Sequence, residues 1–359
     1  MKNAHIRPVL LTLALLLFSI EPAFSGSVSA PQKASADLTG DGRYIRMANN
    51  FFIFPDPSTT MDVPYKQTGL TRIEAQNKIL RESNASLPEL GWQAGLYPHW
   101  KGELWLHGSP MAFKPYYRLD NYRKAEYAKA IEQLPVEPQS PPMLQTGLMK
   151  LEHLLGLPGR TEIFLFSDGN HSTYDGLEPK PLEEARLLAS KFDICFNIVS
   201  SATTPKARKL LEDIAGVNSC SQVIDFDTVY DKPEHLLGKL YMDTQNNGFN
   251  NILFDFDKAN IKPEYAAELD KLGKILKNQP QLYVVLSGFC DSVGTEKYNI
   301  RLSQRRAESV RNYLHKHFGI SKDTMLLYWY GYANPTASNE TEDGRRLNRR
   351  VTIVLRGKK

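Results

Sequence analysis

From about residue 49 to residue 227, short apolar runs alternate with segments whose apolar residues recur at three- and four-residue spacing. The runs indicate buried strands and the spaced segments indicate helices. Strands that alternate with helices form a parallel sheet covered on both faces, so this half is predicted to be a doubly wound α/β domain. The predicted strands are 50–55, 104–106, 111–117, 161–167, 194–200 and 222–225, and the predicted helices are 71–83, 120–133, 144–155, 181–191 and 205–215.

A second pattern follows the polar segment 243–248. Its order of strands and helices is βαβαββ, which predicts a small α/β sandwich. We therefore place a linker at 232–250, between a first domain at 49–231 and a second at 251–359. The predicted strands are 252–256, 282–289, 325–332 and 350–355, and the helices are 263–277 and 296–318.

The helix at 296–318 carries an arginine within its apolar stripe. Leu302, Val310 and Leu314 share one face, and Arg306 lies between them on that face. A buried guanidinium needs a carboxylate or an anionic ligand. Asp291 closes the preceding strand and is the expected partner of Arg306.

Neutral donors surround this predicted pair. Asn299 lies on the first turns of the helix, and residues 292–295 offer backbone N–H groups at its start. A negative group, a positive group and neutral donors together complement a zwitterion with an amine and a carboxylate. The alternative is an internal salt bridge between Asp291 and Arg306 that binds no ligand.

The stretch from about 252 to 355 resembles the OmpA-like peptidoglycan-binding domain, a family that binds the diaminopimelate side group of peptidoglycan stems. The resemblance covers about a hundred residues, with the motif pieces in the family's order. The matching pieces are Phe254-Asp255-Phe256-Asp257, Gly288-x-x-Asp291, Gly294, Tyr298-Asn299, Leu302-Ser303-x-x-Arg306-Ala307, Gly331-Tyr332 and Asn348-Arg349-Arg350-Val351.

The resemblance implies that Asp291 binds the amine of the ligand and that Arg306 binds its carboxylate. It further implies that Asn299, Asp257 and the backbone after Asp291, at Val293, complete the pocket. One departure stands beside the acid: the family has His-Thr where this chain has Phe289-Cys290, and a cysteine lacks a good hydroxyl donor. Arg349 and Arg350 are expected to serve the structure, alternating across the last strand.

Polar oxygens also follow two strands of the first half. Asp56, Ser58 and Thr60 come directly after the first strand, and Asp168 ends a later one. Oxygen ligands that converge from the carboxyl ends of parallel strands suit a hard divalent cation.

The motif and the strand order over about 49–227 resemble a von Willebrand factor A-type domain. The resemblance implies an Mg²⁺ site through which a partner protein's carboxylate binds, and hence an interaction module for an unknown envelope protein. The family's threonine is replaced by Pro142, with Ser140 close by in sequence. The alternative is the same fold with a vestigial site and no metal.

The N-terminus predicts export. Lys2 and Arg7 precede an apolar run of about a dozen residues, short of the roughly 20 that span a bilayer. We predict a signal peptide at 1–25, followed by a flexible lead-in at 26–48. The alternative is that the apolar run is retained as a membrane anchor.

Three cysteines bear on the compartment. Exported chains keep disulfides, and Cys195 and Cys220 lie in or beside successive predicted strands. Either these two form a disulfide or they are two buried thiols. Cys290 is the odd one and lies beside the proposed pocket.

Charge and motif spacing narrow the class of function. The net charge of +4 is small for 359 residues, so nucleic-acid binding through bulk charge is not indicated. No His-x-x-Glu-His spacing and no nucleophile elbow is present. We expect a non-enzymatic periplasmic protein, associated with the cell wall or outer membrane, that binds peptidoglycan. The alternatives are a membrane-tethered component of an envelope assembly and a wall-acting enzyme.

Overall fold

A six-stranded sheet forms the centre of the N-terminal half. A computed structural model describes residues 43–100, 115–172, 178–244 and 248–357. The strands of this half are β1 (Tyr44–Arg46), β2 (Asn50–Phe54), β3 (Gln93–Leu96), β4 (Tyr117–Asn121), β5 (Thr161–Ser167), β6 (Ile194–Ser200) and β7 (Gln222–Asp225). The sheet has the order β4-β3-β2-β5-β6-β7, and all its neighbouring strands are parallel except the antiparallel pair β3–β4.

The central strand β2 explains why this sheet is covered on both faces. Phe51 and Ile53 point into one apolar core, and Phe52 and Phe54 point into another. Helices on each face supply the other side of these cores, as the strand–helix alternation predicted, so the mixed α/β class is confirmed. The helices are α1 (Arg72–Ser86), α2 (Lys124–Glu132), α3 (Leu144–Leu154), α4 (Pro181–Lys191), α5 (Pro205–Ala215) and α6 (Phe226–Asp231).

One predicted helix begins later than expected. Asp120, its predicted first residue, lies in β4 opposite Ala94 of β3, because pairing at the sheet edge decides the conformation of this segment. The helix starts at Lys124, and its Tyr127 and Ile131 side chains are buried. The strand predicted at 104–106 and most of the one at 111–117 lie outside the described residues.

A four-stranded sheet forms the C-terminal half. Its strands are β9 (Ile252–Leu253), β10 (Leu282–Gly288), β11 (Met325–Trp329) and β12 (Arg350–Gly357), and the helices are α7 (Ala266–Asn278), α8 (Glu296–Phe318) and α9 (Glu342–Asn348). The strand order is β11-β10-β12-β9, with β10 parallel to β11 and antiparallel to β12, which is antiparallel to β9. The sequence did not predict α9, which is short and is capped by the Thr341 hydroxyl.

The segments predicted as lead-in and linker contain ordered structure. β1 pairs antiparallel with β8 (Tyr241–Asp243), and this two-stranded β1–β8 ribbon contributes to the cover of one face of the four-stranded sheet. Leu236 and Leu240 are buried in the core of the N-terminal half. His235 Nδ1 lies 2.8 Å from the hydroxyl of Tyr328 on β11, so buried polar contacts join the two halves.

Cys195 and Cys220 form a disulfide, and Cys290 is a buried free thiol. The predicted signal peptide and residues 26–42 of the lead-in lie outside the described residues. In the part of the chain that the structure describes, no helix has both the length and the apolar character needed to cross a bilayer.

Candidate functional site

Asp291 lies in the loop after β10 and is almost fully buried. Its Oδ2 accepts a hydrogen bond from Arg349 Nη1 at 3.0 Å, and its Oδ1 accepts one from the Val293 N–H at 3.1 Å. Arg349 also donates to Glu342 Oε1 at 2.8 Å. Burial lowers the pKa of Arg349, but its hydrogen bonds to the two carboxylates outweigh burial and raise it. Arg349 is therefore the residue that neutralises Asp291.

Arg306 is fully buried on α8, as its place in the apolar stripe predicted, but it does not pair with Asp291. Its Nε donates to the Lys258 carbonyl at 2.9 Å, Nη1 to the Phe289 carbonyl at 2.9 Å and Nη2 to the Asp255 carbonyl at 3.1 Å. The expected Asp291–Arg306 salt bridge is thus wrong. The loop directs Asp291 toward the start of β12, where Arg349 approaches it.

Among the described residues, no carboxylate pairs directly with the guanidinium of Arg306. An arginine has five N–H donors. Bonds to three carbonyls and to Cys290 Sγ, at 3.3 Å, use four of them and leave one on Nη2 among the described contacts. Burial lowers the pKa of Arg306, while Asp291 acts through space in the opposite sense. Neutral acceptors orient a cation without cancelling its charge, so Arg306 can still attract an anion.

Cys290 is part of the cradle of Arg306. Its thiol donates to the Asn299 carbonyl at 3.3 Å and its sulfur accepts from Arg306 Nη1. Burial raises the pKa of the Cys290 thiol to about 12, so the group is neutral at neutral pH. The cysteine therefore supplies a neutral sulfur acceptor to the guanidinium.

The close approach of β10 to α8 brings these groups together. A Cβ on Gly288 would lie 2.0 Å from the Ser303 carbonyl oxygen, so only glycine fits at this crossing. Gly294 has φ +102°, and the Asn299 Nδ2 donates to the Val293 carbonyl at 3.0 Å. Asn299, predicted to contact ligand, thus uses one amide donor to hold the loop that carries Asp291.

Exposed apolar side chains surround the mouth of this site. Phe256, Val293 and Tyr298 are 58%, 45% and 39% exposed. The hydroxyl of Tyr298 donates to Asp257 Oδ1, and Asp257 has φ +57°, which turns the chain at the rim. The pocket predicted from the sequence included Asp257 and Val293. It did not include Phe256 and Tyr298, although both lie in the segments that resemble the family's motifs.

The predicted oxygen cluster of the N-terminal half also assembles. Asp56 is buried after β2 and accepts from the Ser58 N–H at 3.0 Å, and Ser58 Oγ lies 3.0 Å from Thr60 Oγ1. Burial raises the pKa of Asp56 to about 7 and the charge of Asp168 adds to this rise, while hydrogen bonds from Ser58 oppose it. The two carboxylates are therefore close enough to repel each other.

Ser140 joins this cluster from the loop before α3. The Thr59 N–H donates to the Ser140 carbonyl at 2.8 Å, and the Ser140 hydroxyl is buried without a hydrogen-bond partner in the described residues. Behind the cluster, His99 Nδ1 lies 3.9 Å from Asp56 Oδ1. Lys150 donates to the His99 carbonyl at 2.8 Å. Burial lowers the pKa of His99 to about 3 and that of Lys150 to about 7.

The donor set of this cluster fits a hard cation, because it offers two carboxylates and several hydroxyls. Across residues 43–100, 115–172, 178–244 and 248–357, no three His, Cys, Asp or Glu side chains gather in a way that could hold a metal. A cation here would depend on hydroxyl and water ligands as well as on Asp56 and Asp168.

Comparisons with known proteins concern a minority of the chain. The OmpA family model matches residues 253–349. Outer membrane porin F of Pseudomonas aeruginosa is 39% identical over 100 residues, which are 28% of this chain and 29% of the porin. The peptidoglycan-associated lipoprotein of Buchnera aphidicola is 34% identical over 105 residues, which are 29% of this chain and 60% of the lipoprotein. The chain thus spans less than two thirds of the length of either relative.

Outer membrane protein A of Bordetella avium is matched more completely. It is 35% identical over 142 residues, which are 40% of this chain and 70% of that protein. Together with the family match, which spans the Asp291 loop, α8 and Arg349, this similarity shows that the chain belongs to the OmpA family.

Proposed function

We propose that the protein is a non-enzymatic, periplasmic envelope protein that holds peptidoglycan non-covalently through the diaminopimelate of its stem peptides. The observation that carries this proposal is the separation of the two charges. Asp291 is held by Arg349, and Arg306 is held by neutral carbonyls, so neither site charge is consumed by the other.

The geometry fits the two ends of an amino acid. A carboxylate has about four acceptor positions, and Asp291 uses one for Arg349 and one for the Val293 N–H, which leaves room for an ammonium group. The remaining N–H of Arg306 is suited to the ligand's carboxylate. Asp257 and Tyr298 at the rim can bind the rest of the stem peptide, and the exposed apolar side chains can pack against it.

Binding to isolated sacculi tests this proposal. The exported protein should sediment with sacculi that contain meso-diaminopimelate, and free meso-diaminopimelate should release it. Sacculi whose stems carry lysine at that position lack the second carboxylate and should retain little protein. Equal retention on the two kinds of sacculi would contradict the diaminopimelate assignment, and clearing of the suspension would contradict the non-enzymatic one.

We also propose that the N-terminal half is a von Willebrand factor A-like module that binds an envelope protein through Mg²⁺. Asp56, Ser58, Thr60, Ser140 and Asp168 would hold the ion. Support comes from the repulsion between the buried Asp56 and Asp168 and from the buried Ser140 hydroxyl, which has no hydrogen-bond partner among the described residues. A divalent cation supplies positive charge that relieves this repulsion and offers a free position to a partner's carboxylate.

Calorimetry and thermal unfolding test the metal proposal. Millimolar Mg²⁺ should release or absorb heat and raise the unfolding temperature of the wild type, but should have no effect on Asp168→Asn. Absence of any response in the wild type would indicate a site that does not bind the ion.

A further inference from the structure

A cavity lies between the four-stranded sheet and the β1–β8 ribbon. Its volume is about 480 Å³. The ribbon contributes Ile45 and Met242, and β12 contributes Arg350 and Thr352. Because side chains alternate along a strand, Arg350 and Thr352 share one face of β12, whereas Arg349 points the other way, toward Asp291. This cavity is therefore distinct from the Asp291 site.

Arg350 is a buried cation with unused donors. The residue is 1% exposed, and its Nη2 donates a hydrogen bond to the Asn334 carbonyl at 3.1 Å. Among the described residues, Nε and Nη1 have no partner. The guanidinium lies 3.9 Å from the centre of the Phe289 ring, which compensates part of the charge through its face but accepts nothing from the in-plane N–H groups.

Thr352 repeats the same feature two residues along the strand. Its Oγ1 is buried and has no hydrogen-bond partner among the described residues. Buried polar groups in native proteins are generally paired, so these three donors on one cavity wall, unpaired among the described residues, indicate a group that those residues do not supply. Ordered water is one such group, and an anion is another.

The charges at the cavity favour an anion with a single charge. Asp243 also lines the cavity, but it pairs with Arg43 at 3.4 Å. Burial lowers the pKa of Arg350 to about 10, so the guanidinium remains charged at neutral pH. One positive charge, with the Asp243 carboxylate on the ribbon side of the same cavity, matches a carboxylate better than a phosphate dianion.

We propose that this cavity binds the C-terminal carboxylate of a peptide, with Arg350 as its counter-charge and Thr352 as a hydroxyl donor. The cavity is larger than a free small acid requires. The amide side chains of Asn250, Asn251 and Asn334 on its wall can bind the peptide groups that precede the carboxylate. The Arg350 cavity therefore recognises a chain end, in addition to the zwitterion bound at Asp291.

Calorimetric titration of the exported protein with four probes tests the proposal. N-acetyl-D-alanyl-D-alanine and its L,L isomer carry the carboxylate, and the corresponding dipeptide amides lack it. At least one carboxylate probe should bind with a Kd at or below about 1 mM, and the amides should not bind. Preference for the D,D isomer would assign the site to cell-wall stems, and preference for the L,L isomer would assign it to protein chain ends.

Two substitutions locate the binding. Arg350→Lys should weaken it about tenfold or more, because a lysine cannot reproduce the planar donors. Thr352→Val should weaken it about threefold to tenfold and should leave the unliganded protein as stable as the wild type or more so, since it removes an unpaired hydroxyl. Asp291→Asn should bind the probes normally. Absence of binding by the wild type, equal binding of the amides, or full binding by the Thr352→Val variant would overturn the proposal. The comparison of acids with amides and the Thr352→Val titration do not depend on whether Arg350→Lys folds.

Discussion

Arg349 Nη1 lies 3.0 Å from Asp291 Oδ2, and both side chains are only 5% exposed. This buried pair positions the acid of the candidate site, and in the part of the chain that the structure describes Arg306 has no carboxylate partner. Arg349 thus holds Asp291 in place, while Asp291 and Arg306 are the residues that we propose to contact the ligand. Loss of Arg349 is therefore expected to lower stability, and loss of the Arg306 charge is expected to lower ligand affinity.

Removing Arg349 should destabilise the protein more than removing the charge of Asp291. Arg349→Met leaves Asp291 buried and unpaired, which should lower the free energy of unfolding by about 3–5 kcal/mol. Asp291→Asn should lower the free energy of unfolding by less, because Arg349 keeps its hydrogen bond to the Glu342 carboxylate. Urea unfolding measures both. Arg345→Met is the control, since Arg345 pairs with the exposed Glu342 and with main-chain carbonyls but not with Asp291, so its loss leaves no buried carboxylate unpaired. Equal losses for Arg349→Met and Asp291→Asn would contradict this asymmetry.

Arg306→Gln should abolish most retention on sacculi. Glutamine keeps hydrogen-bonding groups but removes the charge, so a charge-assisted bond worth about 1.5–3 kcal/mol is lost and affinity should fall at least about tenfold. Co-sedimentation with sacculi measures the loss. Arg301→Gln is the matched control, because Arg301 is an exposed arginine on the same helix. Retention that is the same for the two variants would remove Arg306 from the site.

The thiol chemistry should reveal one protected cysteine. Cys290 is 2% exposed and burial raises its pKa to about 12, so it should not react with a thiol reagent in the native protein at pH 8. Denaturation without reductant should expose one thiol, and reduction should expose three, because Cys195 and Cys220 form a disulfide. Rapid labelling of the native protein would show that the Arg306 cradle is open to solvent.

Stability should respond to pH through Asp56. The pKa of Asp56 is raised from 3.8 to about 7 in the folded protein. Its contribution to the free energy of unfolding is therefore fully present below pH 3.8 and is lost as pH rises through about 7. His99 and Lys150, which lie near it, have lowered pKa values and act in the opposite sense, so the measurement is a difference between variants. In metal-free buffer, the free energy of unfolding of Asp56→Asn should rise by roughly 2–4 kcal/mol relative to that of the wild type between pH 4 and pH 8. A difference that is independent of pH would contradict a raised pKa.

Several elements could be predicted from local pattern alone. The helix at 296–318 begins and ends where predicted, because the Thr295 hydroxyl caps its start and Gly319, with φ +69°, ends it. The strands at 161–167 and 194–200 also match, since continuous apolar runs are buried on both faces of the parallel sheet. Where local signals were weak, as in β1, β8 and α9, only tertiary contacts produced the element.

The sequence by itself determined that Arg306 would be buried, because its place between Leu302 and Val310 on a helix face follows from the helical period. It also identified Asp291 as a strand-end acid. Only the tertiary structure decided that Arg349, 58 residues away, would be the partner of Asp291, and that main-chain carbonyls would hold Arg306. The hydrophobic periodicity of a chain predicts on which face of an element a side chain lies. Its partner from a distant part of the chain depends on strand register and loop direction, and these are set by the packing of the whole domain.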